Sequence, residues 1–466
     1  MLNHLANNDT ICALATPQGS GAIALIRLSG PESFKITDSI FKASKKRINI
    51  QQAEAYTLHF GKIYDEDVLL DEVLVSVFKT PHSYTGEDSI EISCHGSTFI
   101  QQKLIELLQK KGARMAEPGE FTLRAFFNGK FDLSQAEAVA DLIASNSTAS
   151  HNLALEQMRG GFSTKIKVLR KELVDLASLI ELELDFAEED VEFADRTRFL
   201  KLLTDIEKEV QQLIESFALG NVIKNGIPVA IIGKPNAGKS TLLNRILQEE
   251  KAIVSEIPGT TRDSIEDTIS IEGFTFRFID TAGLRSSADK IENLGIERTY
   301  EKIRQSKIIL YVCDMTKSTP NELSETLEDF KEHIEDKNKR FILIGNKIDE
   351  LVEMPRFFNQ YVDLETIFIS AKRNENINLI MDSLIDSVKD LDLSDNTIIS
   401  NARHLGALNK VAESILAIKK GFNDGIPTDL IASDIRTALH YLGEITGEVT
   451  NNELLGNIFG KFCIGK

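Results

Sequence analysis

The chain has no tryptophan, and its four cysteines are scattered, with no C-x-x-C pair among Cys12, Cys94, Cys313 and Cys463. This spacing disfavours a zinc site or a disulfide framework and is typical of a reducing compartment. No run approaches the ~18 apolar residues that a membrane span requires, and the first nine residues resemble no secretory leader. We therefore expect a soluble cytoplasmic protein that does not engage a membrane.

Positive charge is also scarce, because 53 Lys and Arg residues face 71 Asp and Glu residues, a formal net charge of −18. Duplex binding relies on many phosphate contacts, so this balance argues against a general nucleic-acid coating protein. It does not exclude a local basic patch, for which Lys42–Arg47 is a candidate and a solvated loop the alternative. A chain of 466 residues with 42% hydrophobic content predicts two to four well-packed domains.

The most informative segment that is present is Gly233–Ser240 (GKPNAGKS), which fits the phosphate-binding pattern G-x-x-x-x-G-K-[ST]. The apolar run Pro228–Ile232 precedes it, and Thr241–Leu247, with apolar residues at helical spacing, follows it. A strand, a glycine loop and a helix N-terminus together make an anion cradle. We expect Lys239 to reach the terminal phosphates of a nucleotide and the Ser240 hydroxyl to bind Mg²⁺.

Three further motifs each follow a predicted strand, namely Asp280–Gly283 (DTAG), Asn346–Asp349 (NKID) and Ser370–Lys372 (SAK). The Asp349 carboxylate can accept hydrogen bonds from guanine N1–H and the exocyclic amine, a donor pair that adenine lacks. The order of the motifs predicts a guanine-nucleotide switch domain that resembles the translation-factor-like branch of P-loop GTPases. The predicted GTP-binding residues are Asn236, Ala237, Gly238, Lys239, Ser240, Thr241, Ser255, Glu256, Ile257, Pro258, Gly259, Thr260, Thr261, Asp280, Thr281, Ala282, Gly283, Asn346, Lys347, Ile348, Asp349, Ser370, Ala371 and Lys372.

The position after DTAG, where many switch GTPases carry a water-orienting glutamine, is Leu284. A leucine cannot polarise water, so another group must assist hydrolysis. One interpretation is an in-chain arginine finger, with Arg285, Arg298 and Arg304 as candidates and a solvated helix surface as their alternative role. The other is a monovalent cation bound by Asn236 and the loop Ser255–Arg262, which would place positive charge beside the β/γ-phosphate bridge. From the same loop, Thr261 is a candidate Mg²⁺ ligand. For Asn236 itself, a turn-favoured residue without ligand is the alternative.

Outside these motifs the pattern divides the chain. Residues 1–128 combine strand-like runs with helical stretches at Ser33–Phe41 and Thr98–Lys110, which predicts an α+β domain. Helical patterns occupy 129–224 and return in 390–466, on either side of the nucleotide motifs in 225–389. We therefore predict a multidomain α/β protein in which a P-loop GTPase domain, with a Ras-like doubly wound sheet, is inserted into a helical bundle.

Within the helical part, one seam repeats in alternate steps of four and three, which is a period of 3.5 residues. The simplest interpretation is core packing inside the chain, and a dimer seam is the alternative. The seam residues are Phe162, Ile166, Leu169, Leu173, Leu176 and Ile180, and a second helical row is Phe199, Leu202, Ile206, Val210, Leu213 and Phe217.

Together with the nucleotide motifs, seven segments elsewhere in the chain resemble the MnmE (TrmE) family of tRNA-modification GTPases over essentially the whole length. They are Pro17–Gly21, Arg27–Gly30, Tyr84–Asp88, Pro118–Thr122, Arg124–Lys130, Gln135–Ala138 and the terminal Phe462–Lys466. The resemblance implies a GTP-hydrolysing enzyme that, with the flavoprotein MnmG, adds a carboxymethylaminomethyl-type group to C5 of the wobble uridine (U34) of certain tRNAs. It also implies a homodimer that forms a heterotetramer with MnmG, and an N-terminal domain that binds 5-formyl- or methylene-tetrahydrofolate.

The family's functional residues can be assigned to matching positions here. The resemblance implies folate contacts at Arg27, Glu91, Lys130 and Lys466. It implies K⁺ ligands at Asn236, Ser255, Ile257 and Thr260, and Mg²⁺ ligands at Ser240 and Thr261. It implies catalytic roles for Glu292, which would orient water, together with Lys239 and Cys463.

Two questions stay open at this point. Cys463 is interpreted as a functional thiol beside the folate site, with a buried structural cysteine as the alternative; the glycine and terminal lysine of Cys463–Lys466 weaken a prenylation signal. The competing function is a ribosome-assembly or regulatory GTPase whose flanking domains bind partners.

Overall fold

The computed structural model describes residues 9–44, 49–185, 196–253, 267–279, 303–336, 339–353, 364–388 and 397–465. The chain divides into two compact units. One comprises Met1–Ile143, Leu155–Val210 and Gly406–Lys466, and the other comprises Ala144–Ala154 and Gln211–Leu405. The first unit is thus assembled from three separate stretches of the chain.

The first unit contains a seven-stranded sheet. Its strands are β1 (Ile11–Leu14), β2 (Ile23–Ser29), β3 (Phe41–Ala43), β4 (Thr57–Asp65), β5 (Val68–Phe78), β6 (Ser89–His95) and β7 (Arg114–Met115). They are ordered β3-β4-β5-β6-β2-β1-β7. The neighbouring strands run antiparallel except β1 and β7, which run parallel. Helices α1 (Ser33–Ile40) and α2 (Thr98–Lys110) pack against this sheet, which makes the α+β arrangement predicted for this region.

Alternation along the strands separates a buried face from an open one. Val73 and Val75 of β5 are at most 1% exposed, whereas Leu74 between them is 39% exposed. On the neighbouring strand, Leu58 and Phe60 are 61% and 50% exposed. Phe60 pairs directly with Leu74, so these side chains form an apolar row on the open face of the sheet.

Five helices follow along the chain, α3 (Glu120–Phe127), α4 (Leu133–Ala144), α5 (Thr148–Met158), α6 (Gly161–Asp185) and α7 (Arg196–Asn225). The predicted seam of α6 is at most 2% exposed at every position, so its packing inside the chain is confirmed. In α7 the second row is partly wrong: Leu203 is fully buried, whereas Leu202 and Phe217 are half-buried. At 3.6 residues per turn, Leu203 lies nearer than Leu202 to the direction shared by Phe199, Ile206 and Val210.

The second unit contains a six-stranded sheet ordered β13-β12-β11-β8-β10-β9. All neighbours are parallel except the edge pair β9 and β10. Its elements are β8 (Ile227–Ile232), α8 (Lys239–Ile253), β9 (Asp267–Ile271), β10 (Phe274–Phe278), β11 (Ile308–Asp314), α9 (Pro320–Asp329), α10 (Lys331–Ile334), β12 (Arg340–Asn346), β13 (Thr366–Ile369) and α11 (Ile377–Asp386).

Strand β8 shows why this sheet is buried on both faces. Val229 and Ile231 point into one hydrophobic cluster, and Ala230 and Ile232 point into the other. A parallel strand covered on both sides needs a continuous apolar run, which is what this segment has. The strands on either side of β8 both come later in the chain, so the loop after Ile232 lies at a topological switch point, where such sheets bind ligands.

Three helices complete the chain, α12 (Ala402–Asp424), α13 (Thr428–Thr446) and α14 (Asn452–Phe459). Within the first unit, α13 packs against α6 and α14 packs against α3. Leu455 and Phe459 of α14 share a buried cluster with Leu123 and Leu133. Of the helices in the described ranges, none combines the length and the apolar character needed to cross a membrane.

Candidate nucleotide-binding site

The loop between β8 and α8 has the backbone that its sequence predicts. Gly238 has a φ of +98°, a conformation that side chains rarely adopt. A Cβ there would lie 2.1 Å from the Asn346 amide nitrogen, so a neighbouring strand also requires a glycine at this position. The non-glycine Asn236 is left-handed too, at φ +62°, and its side chain is exposed. The loop is therefore held open ahead of the α8 N-terminus, as an anion cradle requires.

Lys239 is folded across this loop. Its Nζ donates to the carbonyl oxygens of Gly233 at 2.7 Å and Lys234 at 2.8 Å. Lys239 and Ser240 are half-buried at the first turn of α8, and Thr241 beside them is exposed. The ammonium group and the helix N-terminus thus concentrate positive charge at the carboxyl end of the central strand.

Asn346, at the end of β12, joins three of the predicted motifs. Its side-chain nitrogen donates to the Ala237 carbonyl at 2.8 Å. Its side-chain oxygen accepts from the backbone of Lys347 at 2.8 Å and of Ala371 at 3.0 Å. The residue is 3% exposed, so these bonds are shielded from water. One buried amide therefore fixes the spacing between the phosphate loop and the two segments that would contact the base.

Asp349 is oriented by the SAK segment. The Ser370 hydroxyl donates to one carboxylate oxygen of Asp349 at 2.7 Å, and the Arg373 Nε lies 3.8 Å from the other. The hydrogen bond from Ser370 holds the pKa of Asp349 below its usual value, so the group stays ionised at neutral pH. An ionised, fixed carboxylate is the acceptor that a guanine edge requires.

Lys347 depends on Asp314, a residue that was not predicted from the sequence to have a role. Its ammonium lies 2.6 Å from the carboxylate of Asp314, the last residue of β11. Burial disfavours the charged form of Asp314, but hydrogen bonds from Lys347 and Thr316 outweigh it and keep the pKa below its usual value. The signal was present in the sequence, because Asp314 ends an apolar run as the other motif residues do.

Arg245 of α8 is a second residue without a predicted role. Its guanidinium donates to the carbonyls of Ala371 and Lys372, each at 3.1 Å. It thereby ties the helix after the phosphate loop to the SAK segment. Nothing in the local sequence distinguishes Arg245 from a solvated helical arginine, because its acceptors lie more than 120 positions further along the chain.

Arg304 is misplaced for the arginine-finger interpretation. It lies in a cavity with Pro228 and Lys307, at the amino-terminal ends of β8 and β11, whereas the phosphate loop follows the carboxyl end of β8. A six-residue strand separates the two ends by about 20 Å at ~3.3 Å per residue. Arg304 is therefore not a finger for this site. The other two candidates, Arg285 and Arg298, lie outside the described residues.

Much of the predicted switch machinery also lies outside the described residues, and its assignments stay predictions. These residues are Ser255, Glu256, Ile257, Pro258, Gly259, Thr260, Thr261, Asp280, Thr281, Ala282, Gly283, Leu284 and Glu292, together with Lys466 at the end of the chain.

The N-terminal candidate site is built around Arg27 of β2. Its Nε and one terminal nitrogen donate to the same oxygen of Glu91, at 2.9 and 2.7 Å. The guanidinium carbon lies 5.3 Å from the Tyr84 ring centre and 5.7 Å from that of Phe121. Arg27 and Glu91 are each about one-fifth exposed (19% and 22%), so the pair is accessible from one side. Lys130 donates to the carbonyl of Pro81 at 3.0 Å, on the loop that carries Tyr84.

The C-terminal tail lies against the same region. The backbone N–H of Gly119, just before α3, donates to the carbonyl of Cys463 at 3.4 Å. Gly465 is so close to β1 that a Cβ would lie 2.3 Å from the Leu14 carbonyl oxygen. The tail thus packs against the N-terminal domain, which is where the roles predicted for Cys463 and Lys466 require it. The cysteine is exposed, so the alternative of a buried structural thiol is wrong.

A buried ionic cluster supports this site, and no role was predicted for it from the sequence. Arg124 is 5% exposed and contacts Asp9 at 2.6 Å, Glu120 at 3.0 Å and Glu87 at 3.2 Å. Burial disfavours its charge, yet the carboxylates of Glu87 and Glu120 outweigh it and hold the pKa of Arg124 above its usual value. Because Glu87 lies on the loop of Tyr84 and Glu120 begins the helix of Phe121, Arg124 fixes both walls around Arg27.

The nucleotide-binding unit thus has the fold and motif geometry of a P-loop protein that recognises a guanine nucleotide. A family model described as "MnmE helical domain" matches residues 133–463, and one described as "GTP-binding protein TrmE N-terminus" matches residues 10–130. A protein of Cytophaga hutchinsonii named tRNA modification GTPase MnmE is 53% identical over 461 residues, which cover 99% of this chain and 98% of that protein. Equally named proteins of Flavobacterium johnsoniae and of a Bacteroides fragilis strain are 54% and 51% identical over 99% of this chain and all of their own length. The chain belongs to the MnmE family of tRNA modification GTPases.

Proposed function

We propose that this protein is the GTP-hydrolysing component of an enzyme complex that, with MnmG, adds a carboxymethylaminomethyl-type group to C5 of U34 in certain tRNAs. The observation that carries the proposal is the bonding of Asn346, which joins the phosphate loop to both base-contacting segments in a chain of this family. The tRNA substrate is inferred from the names of full-length relatives. The MnmG partnership rests on the resemblance described above.

We further propose three domains that are built from four segments. Residues 1–128 form a tetrahydrofolate-binding-like dimerisation domain, 129–224 and 390–466 form a helical domain, and 225–389 form the inserted GTPase domain. The sheet order of the second unit supports a Ras-like doubly wound class for the insert. Dimerisation is supported by the apolar row Leu58, Phe60 and Leu74, because an open sheet face of this kind is stabilised when a second surface covers it. A cytoplasmic location remains a prediction.

For hydrolysis, the described residues form a cradle that fits nucleotide phosphates: a loop held open at Gly238, a lysine and a helix N-terminus. Ser240 and Thr261 would hold Mg²⁺, and Asn236, Ser255, Ile257 and Thr260 would hold K⁺. When bound, these ions neutralise charge that develops on the β/γ-phosphate bridge. Lys239 would release the loop carbonyls and pair with phosphate oxygens, and Glu292 would orient the attacking water.

We expect hydrolysis to fall by roughly 10–10²-fold when K⁺ is replaced by Na⁺, because a smaller ion fits the same oxygen ligands poorly and a charge-stabilising group is weakened. Asn236→Ala should lower the rate in K⁺ and remove most of the difference between the ions. Asn236→Gly is the matched control for backbone strain, since glycine accepts the φ of +62° freely. Steady-state rates in the two salts measure this effect. Equal rates of the wild-type protein in K⁺ and Na⁺ would reject the ion site.

At the N-terminal site, we propose that Arg27, Glu91, Lys130 and Lys466 bind 5-formyl- or methylene-tetrahydrofolate. The described geometry fits such a ligand. A folate has carboxylates for cationic side chains and pterin N–H donors for Glu91. The rings of Tyr84 and Phe121 already flank the guanidinium of Arg27, so a planar ligand would meet a rigid wall.

The thiol test separates this site from the GTPase site. Cys463→Ser should leave GTP turnover nearly unchanged and abolish wobble-uridine modification, because an exposed thiol is replaced by a weaker nucleophile of similar size. Lys461→Gln, an exposed change on the same tail, should alter neither. Turnover assays and mass analysis of tRNA nucleosides give the two measurements.

Deletion of Cys463–Lys466 should also weaken formyl-tetrahydrofolate binding in calorimetry. Normal modified-nucleoside levels with unchanged folate affinity would show that the tail is structural only.

A further inference from the structure

A second cavity lies in the nucleotide-binding unit, at the opposite end of its sheet from the phosphate loop. Its volume is ≈ 830 Å³. Gly226 and Pro228 at the start of β8 line it, as do Ser306 just before β11 and Lys339 just before β12. The last turns of α7, with Phe217, complete its wall. Because the nucleotide motifs follow the carboxyl ends of these strands, no function described above uses this cavity.

The charged side chains that line the cavity are all positive. Arg277, Arg304, Lys307 and Lys339 all line the cavity, and among the described residues the lining contains no Asp or Glu. The remaining lining residues are neutral polar or apolar. Asp336 does not line the cavity, but its negative charge favours the charged form of Lys339. Four cationic side chains at one place stand out in a chain whose net charge is −18.

One of these cations, Lys339, is held in place by hydrogen bonds, and the side chains of Arg304 and Lys307 are exposed. The Lys339 ammonium donates to the carbonyls of Ile303 and Arg304, and burial lowers the pKa of this lysine. An anion in the cavity would favour its charged form. The Arg304 and Lys307 side chains are exposed, and no hydrogen bond or ion pair joins either of them to another residue in the part of the chain that the structure describes.

We propose that this cavity binds phosphate groups of an RNA backbone, and specifically of the tRNA substrate, so the inference rests on the proposed function. Guanidinium groups match phosphate oxygens in a two-pronged geometry, and lysines add point charges. Four cations in ≈ 830 Å³ exceed what one phosphate ion needs and suit successive phosphates of a strand. An acidic protein must also concentrate its phosphate contacts locally, because the rest of its surface repels RNA.

The test measures tRNA binding by the full chain at several salt concentrations. The double variant Arg304→Gln/Lys307→Gln should weaken binding by about tenfold at low salt. It should also reduce the slope of log K against log salt by about 1–2, since each phosphate contact contributes ~0.7–0.9. The matched control is Lys208→Gln/Lys420→Gln, which removes two exposed positive charges on helices elsewhere and should leave the slope unchanged. Neither variant should change GTP affinity.

Two further variants test whether the charge of Arg304 and Lys307 is what binds tRNA. Lys307→Glu alone should weaken tRNA binding at least as much, and the charge-preserving Arg304→Lys/Lys307→Arg should bind tRNA within about twofold of the wild-type protein. Equal weakening by the cavity and control variants would overturn the proposal. The proposal would also be overturned if the cavity substitutions abolished binding of inorganic phosphate but left tRNA affinity unchanged. That result would assign the cavity to a free anion. Wild-type wobble modification with an unaltered salt slope in the cavity variant would reject this site and leave the proposed function intact. Absence of tRNA binding and modification by the wild-type protein would reject both.

Discussion

Asp349→Asn should weaken GTP binding by roughly 10²–10⁴-fold and improve binding of xanthine nucleotides. Two charge-assisted hydrogen bonds contribute about 1.5–3 kcal/mol each, and about 1.4 kcal/mol corresponds to a factor of ten. The new amide would also present an N–H to the guanine donors, whereas xanthine offers a carbonyl there. The structure supports this role because the Ser370 hydroxyl, 2.7 Å away, fixes the carboxylate.

Direct titration with labelled GTP, xanthosine triphosphate and ATP measures this change. Glu350→Gln is the matched control, because it neutralises the adjacent, exposed carboxylate and should leave GTP affinity unchanged. Ser370→Ala should give a smaller loss than Asp349→Asn, since it frees the carboxylate without removing it. A wild-type protein with equal affinity for ATP and GTP would contradict guanine recognition at this site.

Glu292→Ala should keep nucleotide affinity and lower the hydrolysis rate by about 10²–10⁴-fold. A group that orients water acts in the transition state, so its loss reduces kcat while ground-state binding is retained. The need for such a group follows from Leu284, which cannot polarise water. The structure adds that Arg304 is at the wrong end of β8 to substitute for it.

Single-turnover hydrolysis and GTP titration separate the two effects. Glu325→Ala, which removes an exposed carboxylate on α9 of the same unit, is the control and should change neither quantity. Loss of GTP affinity in Glu292→Ala, with the control intact, would show that Glu292 is a structural ion-pair residue.

The sequence was most predictive where local chemistry determines structure. The glycines of the phosphate loop, the apolar strands and the motif at the end of β12 are readable because each depends on neighbours within a few residues. Strand β11 was not predicted, although it is buried along its whole length and its run Ile308–Cys313 carried the signal. Strand β4 was missed for another reason. Its exposed Leu58 and Phe60 alternate with Thr57, His59 and Gly61, and a glycine inside the run weakens the strand pattern.

Contacts between residues that are far apart in the chain could not be predicted from local sequence patterns. Arg124 forms its cluster with Asp9 and Glu87, 115 and 37 positions away, and only the folded sheet brings these groups together. Arg245 and its acceptors in the SAK segment are a similar case. The basic cavity could not be predicted from the sequence, because its cations come from separate elements of the fold. A local sequence pattern shows only charges that are adjacent in the chain. Only the fold therefore shows where the positive charge of this acidic protein is concentrated.

The most direct measurement of the central claim is mass analysis of wobble uridines in tRNA from a strain that lacks this gene. Deletion should remove the carboxymethylaminomethyl-type group from U34, the wild-type chain should restore it, and Asp349→Asn should fail to restore it although the protein is present. Fully modified U34 in the deletion strain, accompanied by a defect in ribosome assembly, would contradict the account and favour the alternative class of GTPase.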